Sequence, residues 1–289
     1  MRFRYLIDRT SKVVVLVFAL LALVILAAIA AYNLKAALPA FRQAGVLHML
    51  FGTEWSLTNK EFGLLPMILG SLMVTAGALI FAVPLGVACA ILLAEVAPTR
   101  VRQFLRPAVD LLAGIPSVVF GLVGLVIIVP FIRDFGGPGY SLAAGIIVLT
   151  VMILPTIVSI SEDSIRAVPK SYREGALALG ATQWQTIWRV LLPSARSGIM
   201  ASVVLGMGRA IGEAMAMIMV LGNSPVIPKS LLSPASTMAG TIAADAPEAS
   251  GVQRSALFAI SVVLFLLIII INGIALVILR RGSRAQNVC

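Results

Sequence analysis

Ser141-Leu142-Ala143-Ala144-Gly145-Ile146-Ile147-Val148-Leu149-Thr150-Val151-Met152-Ile153-Leu154-Pro155-Thr156-Ile157-Val158-Ser159-Ile160-Ser161 carries no charged side chain. It is as long as the roughly 20 apolar residues a helix needs to cross the hydrocarbon core of a bilayer. Five more such runs lie on either side of it: Val13–Tyr32, Leu64–Ala94, Leu111–Ile132, Gly198–Gly222 and Ala256–Leu279. Of the 289 residues, 60% are hydrophobic and only 12% charged, where a soluble domain carries about 25% charged residues. These features predict an all-α, polytopic membrane protein with six transmembrane helices in one domain, 1–289. Pro66 and Pro84 are candidates to bend or shorten the second span, since membrane helices tolerate proline. The arginines ahead of the first run imitate a signal peptide. Its uncharged stretch, however, exceeds the usual 7–15 residues or so of such a segment, which predicts a retained span.

The basic residues set the orientation. Arg2, Arg4, Arg9 and Lys12, then Arg100, Arg102 and Arg106, then Arg166, Lys170, Arg173, Arg189 and Arg196, and finally Arg280, Arg281 and Arg284 fall on one side. Lys35, Arg42, Lys60, Arg133, Lys229 and Arg254 fall on the other. The richer side is cytoplasmic by the positive-inside rule, which places both termini there. The net charge of +10 is read as contact with lipid headgroups. No basic stripe is interleaved with aromatics, so nucleic acid is not an expected partner. Cys89 lies within a span and Cys289 is the last residue, so no disulfide joins them, and the single His48 builds no metal site. No cofactor is expected.

Two outer loops are long, Asn33–Gly63 and the Ser-, Pro- and Ala-rich Asn223–Ser255, which reads as irregular. Trp55 in the first suits a headgroup anchor or contact with an outside partner, and His48 a solvated or interfacial side chain. The loop after the quoted run is the most informative. Lys170–Leu179 is made of good helix formers after Pro169. Gly180 suits a helix end, Thr182 with Gln185 forms a capping box, and Pro193 is expected to end the second short helix before the fifth span.

This loop resembles the signature of ABC importer permeases: Glu-Ala-Ala, three residues, Gly, nine residues, Ile, one residue, Leu-Pro. Glu174, Gly175, Ala176, Gly180, Val190, Leu192 and Pro193 carry it, with Gly175 in place of the first Ala and Val190 in place of Ile. In that family the loop docks into an ATPase subunit. The alternative is an amphipathic helix lying on the membrane. The chain has no G-x-x-x-x-G-K-[ST] loop, so ATP hydrolysis would fall to a partner and the chain itself is not an enzyme. Ala113–Gly121, Ile153–Thr156, Glu162–Pro169 and Gly208–Ala216 resemble phosphate-importer permeases, and Gly208–Glu213 with Phe51–Trp55 favours the PstC type. The resemblance implies a type I, MetI-like fold with its core at about 64–280 and an added span and outer loop at 13–63. It also implies the bacterial inner membrane and three partners: a PstA-type permease, a PstB-type ATPase and a periplasmic phosphate-binding protein. A link to a phosphate-sensing regulator and kinase often accompanies such systems.

Arg209 and Glu213 are the charges inside a span. Four residues apart, they are expected to share one helix face near mid-membrane, where a charge costs about 2.5–3.5 kcal/mol. Two readings stand. They neutralise each other as a structural ion pair, or Arg209 offers its planar fork to an oxyanion while Glu213 moderates the contact. Gly208, Gly212 and Ala216 form a small-residue stripe expected at a tight helix contact. Ser117, after Pro116, is a further candidate for the substrate path, although membrane serines commonly bond their own backbone. Met207, Met215, Met217 and Met219 read as packing, without the histidine partners soft-metal transport would need. An arginine serves other oxyanions such as molybdate or sulfate equally well, and a membrane signalling subunit that no longer transports is a rival of another class.

Overall fold

The computed structural model describes residues 2–56, 61–134 and 136–284; the expectations for Lys60 and Cys289 fall outside them. The order is α1 (Arg2–Ala44), α2 (Val46–Phe51), a hairpin of β1 (Trp55–Ser56) and β2 (Glu61–Phe62), α3 (Leu65–Ile91), α4 (Thr99–Gly114), α5 (Ser117–Val123), α6 (Val129–Asp134), α7 (Leu142–Arg166), α8 (Lys170–Ala178), α9 (Gln183–Thr186), α10 (Leu192–Ile211), α11 (Met215–Leu221), α12 (Met238–Asp245) and α13 (Gly251–Arg284). Six helical stretches among the described residues are long and apolar enough to span a membrane: Ser11–Ala44, Leu65–Val96, Ser117–Asp134, Leu142–Arg166, Gln183–Ile211 and Gly251–Ala275.

Three boundaries differ from expectation. The first helix does not stop at Tyr32. Polar Asn33 and Lys35 end the apolar window but not the helix, because Ala37 and Ala40 are fully buried in a cluster with Met49, Phe62, Met67 and Ala256. The third span begins at Ser117 rather than Leu111, since Ile115 and Pro116 adopt extended backbone and detach α4. The fifth span is Gln183–Ile211, not Gly198–Gly222. Pro193 therefore does not end a helix. It occupies the first turn of α10, and the helix runs through it.

Three π-turns, Leu92–Val96, Gly124–Ile128 and Ile187–Leu191, each end two residues before a proline, at Pro98, Pro130 and Pro193. In each, the residue ahead of the proline (Ala97, Val129 or Leu192) donates to the carbonyl five residues back. Proline has no N–H and its ring collides with the carbonyl four residues back. The wider turn moves that carbonyl aside. After Val129 and Leu192 the helix continues; after Ala97 it stops. Pro84 stays inside α3 and Pro66 occupies its first turn, where no donor is needed, so neither shortens that span.

α7 is the central helix. Ser141 caps it, accepting from the Ala144 amide at 3.2 Å, and α3 and α10 pack along it. Where α3 crosses, Gly86 lies so close that a Cβ would stand 2.7 Å from Ile157 Cγ2. On the other side the Ser161 and Ser202 hydroxyls are hydrogen-bonded at 2.8 Å. α1 lies outside this core against α13, with Tyr32 edge-on to Phe258 at 5.7 Å, and the apolar window of α1 is 0% buried.

At the far end from α8, Trp55 pairs with Phe62 across the hairpin. The Trp55 indole is half-buried, edge-on to Phe62 at 5.6 Å, and hydrogen-bonded to Asp245 of α12. It is thus tied into the protein at this end of the bundle. His48 is exposed. The segment expected to be irregular contains α12, capped by Thr237, which accepts from the Gly240 amide at 3.1 Å. Ser71 of α3 holds the Met238 amide at 3.0 Å.

Candidate functional site

The stretch Gly208-Arg209-Ala210-Ile211-Gly212-Glu213-Ala214-Met215-Ala216 is not one helix. α10 ends at Ile211 and α11 begins at Met215. Gly212 offers no side chain to pack, and Glu213 competes for a backbone donor, its Oε1 accepting from the Ala216 amide at 3.2 Å. The two charges are therefore not stacked on one face, as their spacing had predicted. The ion pairs among the described residues do not join them. Arg209 instead donates from Nη1 to the Thr156 hydroxyl of α7 at 3.3 Å. Both charges are half-buried. Arg209 lies in the last turn of α10, where the helix dipole favours a cation.

The small-residue stripe is corrected as well. A Cβ on Gly208 would meet nothing within 4 Å, and one on Gly212 only the Gly208 and Arg209 carbonyl oxygens, at 3.6 and 3.9 Å. The close contacts of α10 with α7 fall at Gly198, where a Cβ would overlap Ser164, and at Gly206, where one would stand 3.1 Å from Ile157. Ala216 belongs to another contact, that of α11 with Gly121 of α5. Ser117 starts α5, half-buried, so its helix packs on the one that Glu213 caps. Met217 and Met219 pack in the core, while Met215 is exposed. Thr156, next to Pro155, was not singled out as a site residue; only the contact from α10 reveals it.

The loop between α7 and α10 forms as its local signals require. Pro169 precedes α8, Gly180 turns the chain at φ +83°, and the capping box closes, with Gln185 N to Thr182 Oγ1 at 3.3 Å and Thr182 N to Gln185 Oε1 at 2.8 Å. Glu174, Gly175 and Gly180 are exposed, Ala176, Leu192 and Pro193 half-buried. An open groove of about 630 Å³ runs past Gly175, Ala176, Leu179 and Gly180 to Arg189 and Val190. Leu179 is 90% exposed beside it, an apolar side chain without cover on the connection between two spans.

Behind α8 lies an ion network that sequence spacing did not expose. Glu162 of α7, its side chain 0% exposed, receives Arg106 at 2.7 Å and Arg166 at 2.5 Å. Arg106 also reaches Asp163 at 3.3 Å and Asp110 at 3.6 Å. Partial burial works against its guanidinium charge, but the surrounding carboxylates outweigh that and hold its pKa above the ordinary value. Arg102 closes the end of α3, donating to the Leu93 carbonyl at 2.6 Å and that of Ala94 at 3.0 Å. The single hint was the i,i+4 spacing of Glu162 and Arg166.

Residues 82–284 match the family described as binding-protein-dependent transport system inner membrane component. The phosphate transport system permease protein PstC of Pasteurella multocida (strain Pm70) is 33% identical over 291 residues, covering 93% of this chain and 91% of that protein. A probable ABC transporter permease protein of Bacillus subtilis (strain 168), YqgH, is 50% identical over 196 residues, 66% of this chain and 63% of its relative. The fold superposes on the MetNI methionine ABC transporter in an inward-facing conformation with a TM-score of 0.61 at 21% identity, covering 79% of this chain and 99% of that one. A helix break flanked by charges and an exposed loop seated on the spans thus belong to a multi-pass permease whose ATPase is a separate subunit, and the chain is a member of the binding-protein-dependent ABC importer permeases, within their PstC-type branch.

Proposed function

We propose that this chain forms half of the translocation pore of a phosphate importer in the bacterial inner membrane, with both termini and the α8–α9 loop in the cytoplasm. The other half is a PstA-type permease. A PstB-type ATPase docks on Glu174, Gly175, Ala176 and Gly180 and on the groove ending at Leu192 and Pro193, and a periplasmic phosphate-binding protein delivers substrate to the hairpin end. Regulation through a phosphate-sensing kinase belongs to the same reading.

The observation that carries the substrate role is the setting of Arg209. Its hydrogen-bond partner is a neutral hydroxyl, Thr156, and Glu213 is engaged with the backbone of α11. An arginine fork left with charge to spare in a half-buried setting favours a tetrahedral oxyanion. Glu213, close in sequence, keeps that affinity low enough for release, and Ser117 at the start of α5 contributes a hydroxyl to the same path. Uptake of labelled phosphate into proteoliposomes holding the full complex tests this. Phosphate uptake should exceed that of sulfate and molybdate, and competition by either at equal concentration would reassign the substrate. ATP-dependent signalling with no anion uptake would reassign the class.

A further inference from the structure

The element that seats the docking loop on the membrane bundle is Glu95. The π-turn Leu92–Val96 leaves backbone carbonyls outside the helical ladder, and side chains of other elements take them. Arg102 of α4 holds those of Leu93 and Ala94, Arg166 of α7 reaches Leu93 at 3.4 Å, and Gln183 of α9 reaches Glu95 at 3.3 Å. The Glu95 side chain is 4% exposed and forms an ion pair with Arg173, in the middle of α8. Arg173 is the ionic partner of that buried carboxylate among the described residues. Arg166 also holds Glu162, and Glu162 holds Arg106, so the carbonyls of the π-turn connect the Glu95–Arg173 pair to the ion pairs of α7 and α4.

We propose that Glu95 and Arg173 act as a positioning pair that makes α8 and the end of α3 move as one body, so that displacement of the docking loop is delivered to the second span. This rests on the docking role given to α8 above. A buried carboxylate separated from that cation strongly opposes sliding of α8 over α3. α3 is packed against α7 through Gly86 and Ile157, and α7 carries Thr156, the partner of Arg209. A path of direct contacts thus joins α8 to Arg209 and the break that follows the fifth span.

The experiment uses the reconstituted complex, with ATPase co-purification, ATP hydrolysis and labelled phosphate uptake measured together. Glu95→Gln and Arg173→Gln should keep the ATPase bound and hydrolysing while uptake per ATP falls about fivefold or more. The exchanged pair Glu95→Arg with Arg173→Glu should recover most of that ratio, which a general loss of packing would not allow. A Glu95→Cys, Arg173→Cys disulfide supplies a second measure independent of the charges. Cross-linked complex should still couple, since the two elements already move together. Wild-type uptake per ATP in both single variants, or loss of coupling on cross-linking, would overturn the proposal. Absence of the ATPase from the complex of the unsubstituted chain would instead overturn the docking role beneath it.

Discussion

Replacing Arg209 with alanine separates substrate handling from structural pairing, because the two predict different stabilities. If Arg209 neutralised Glu213, its removal would strand a buried carboxylate at a cost of about 3–5 kcal/mol, and Arg209→Ala with Glu213→Ala would restore it. The observed geometry predicts otherwise. The variant loses one charged hydrogen bond, to Thr156 at 3.3 Å, worth about 1.5–3 kcal/mol. Arg209 lies in the last turn of its span rather than at the centre, so removing the guanidinium offsets only part of that loss. The thermal unfolding midpoint of the purified complex should therefore fall by less than the pairing account requires. Phosphate uptake by reconstituted vesicles should nevertheless be lost. Arg209→Lys should lose most of it too, since the charge survives but the fork does not. A midpoint that drops sharply for Arg209→Ala and recovers in the double variant would refute the reasoning, as would full uptake by a well-assembled Arg209→Ala complex.

Gly180→Val should uncouple hydrolysis from uptake in the same vesicles without impairing insertion. At φ +83° a β-branched residue adds about 1–3 kcal/mol of strain and re-aims the docking loop. Gly86→Val should destabilise the bundle by about 1–3 kcal/mol in thermal unfolding, since its Cβ would stand 2.7 Å from Ile157 Cγ2. The Glu61 carboxyl is held above its ordinary pKa of 4.5 by a hydrogen bond that its protonated form donates to the Glu54 carboxylate and by that neighbour's negative charge. The folded hairpin therefore binds this proton more tightly than the unfolded chain does. Its contribution is full below about pH 4.5 and is lost as pH rises through the raised value. Hydrogen exchange in the Trp55–Phe62 hairpin should accordingly quicken as pH rises through that window, beyond the chemical rate, and Glu61→Gln should abolish the dependence.

What the sequence made legible was local. Thr182 and Gln185 are three residues apart, Gly180 needs only its own φ, and the apolar runs need only their neighbours, so all were readable and formed. Helix ends set by partners were not. Asn33 and Lys35 look like a loop, yet Ala37 and Ala40 are buried by α13 and the hairpin segment. The break at Gly212–Ala214 was hidden because glycine and alanine fit an apolar run as well as they fit a gap. The Gly208 and Gly212 stripe had the right chemistry at the wrong place, two residues away from the Gly206 contact. Least legible was the ion network, whose pairs lie 56 residues apart for Arg106 and Glu162 and 78 apart for Arg173 and Glu95. Neither periodicity nor motif spacing reaches that far.

The course of Pro193 changes how the docking loop and Arg209 are related. A helix ended by Pro193 would have placed a hinge between the α9 contact and the fifth span. The π-turn Ile187–Leu191 removes that hinge. It absorbs the missing donor and the ring clash, and one 29-residue helix runs from Gln183 to Ile211. At 1.5 Å per residue this is a rod of about 40 Å. Its first residue hydrogen-bonds the end of α3, and Arg209 lies in its final turn. The helix is interrupted only after Arg209, at Gly212, where Glu213 caps the next segment. A continuous helix from the α9 contact to Arg209, broken only beyond it, is the arrangement required if the proposed motion at the ATPase is to reposition Arg209 against Thr156 rather than dissipate at a kink.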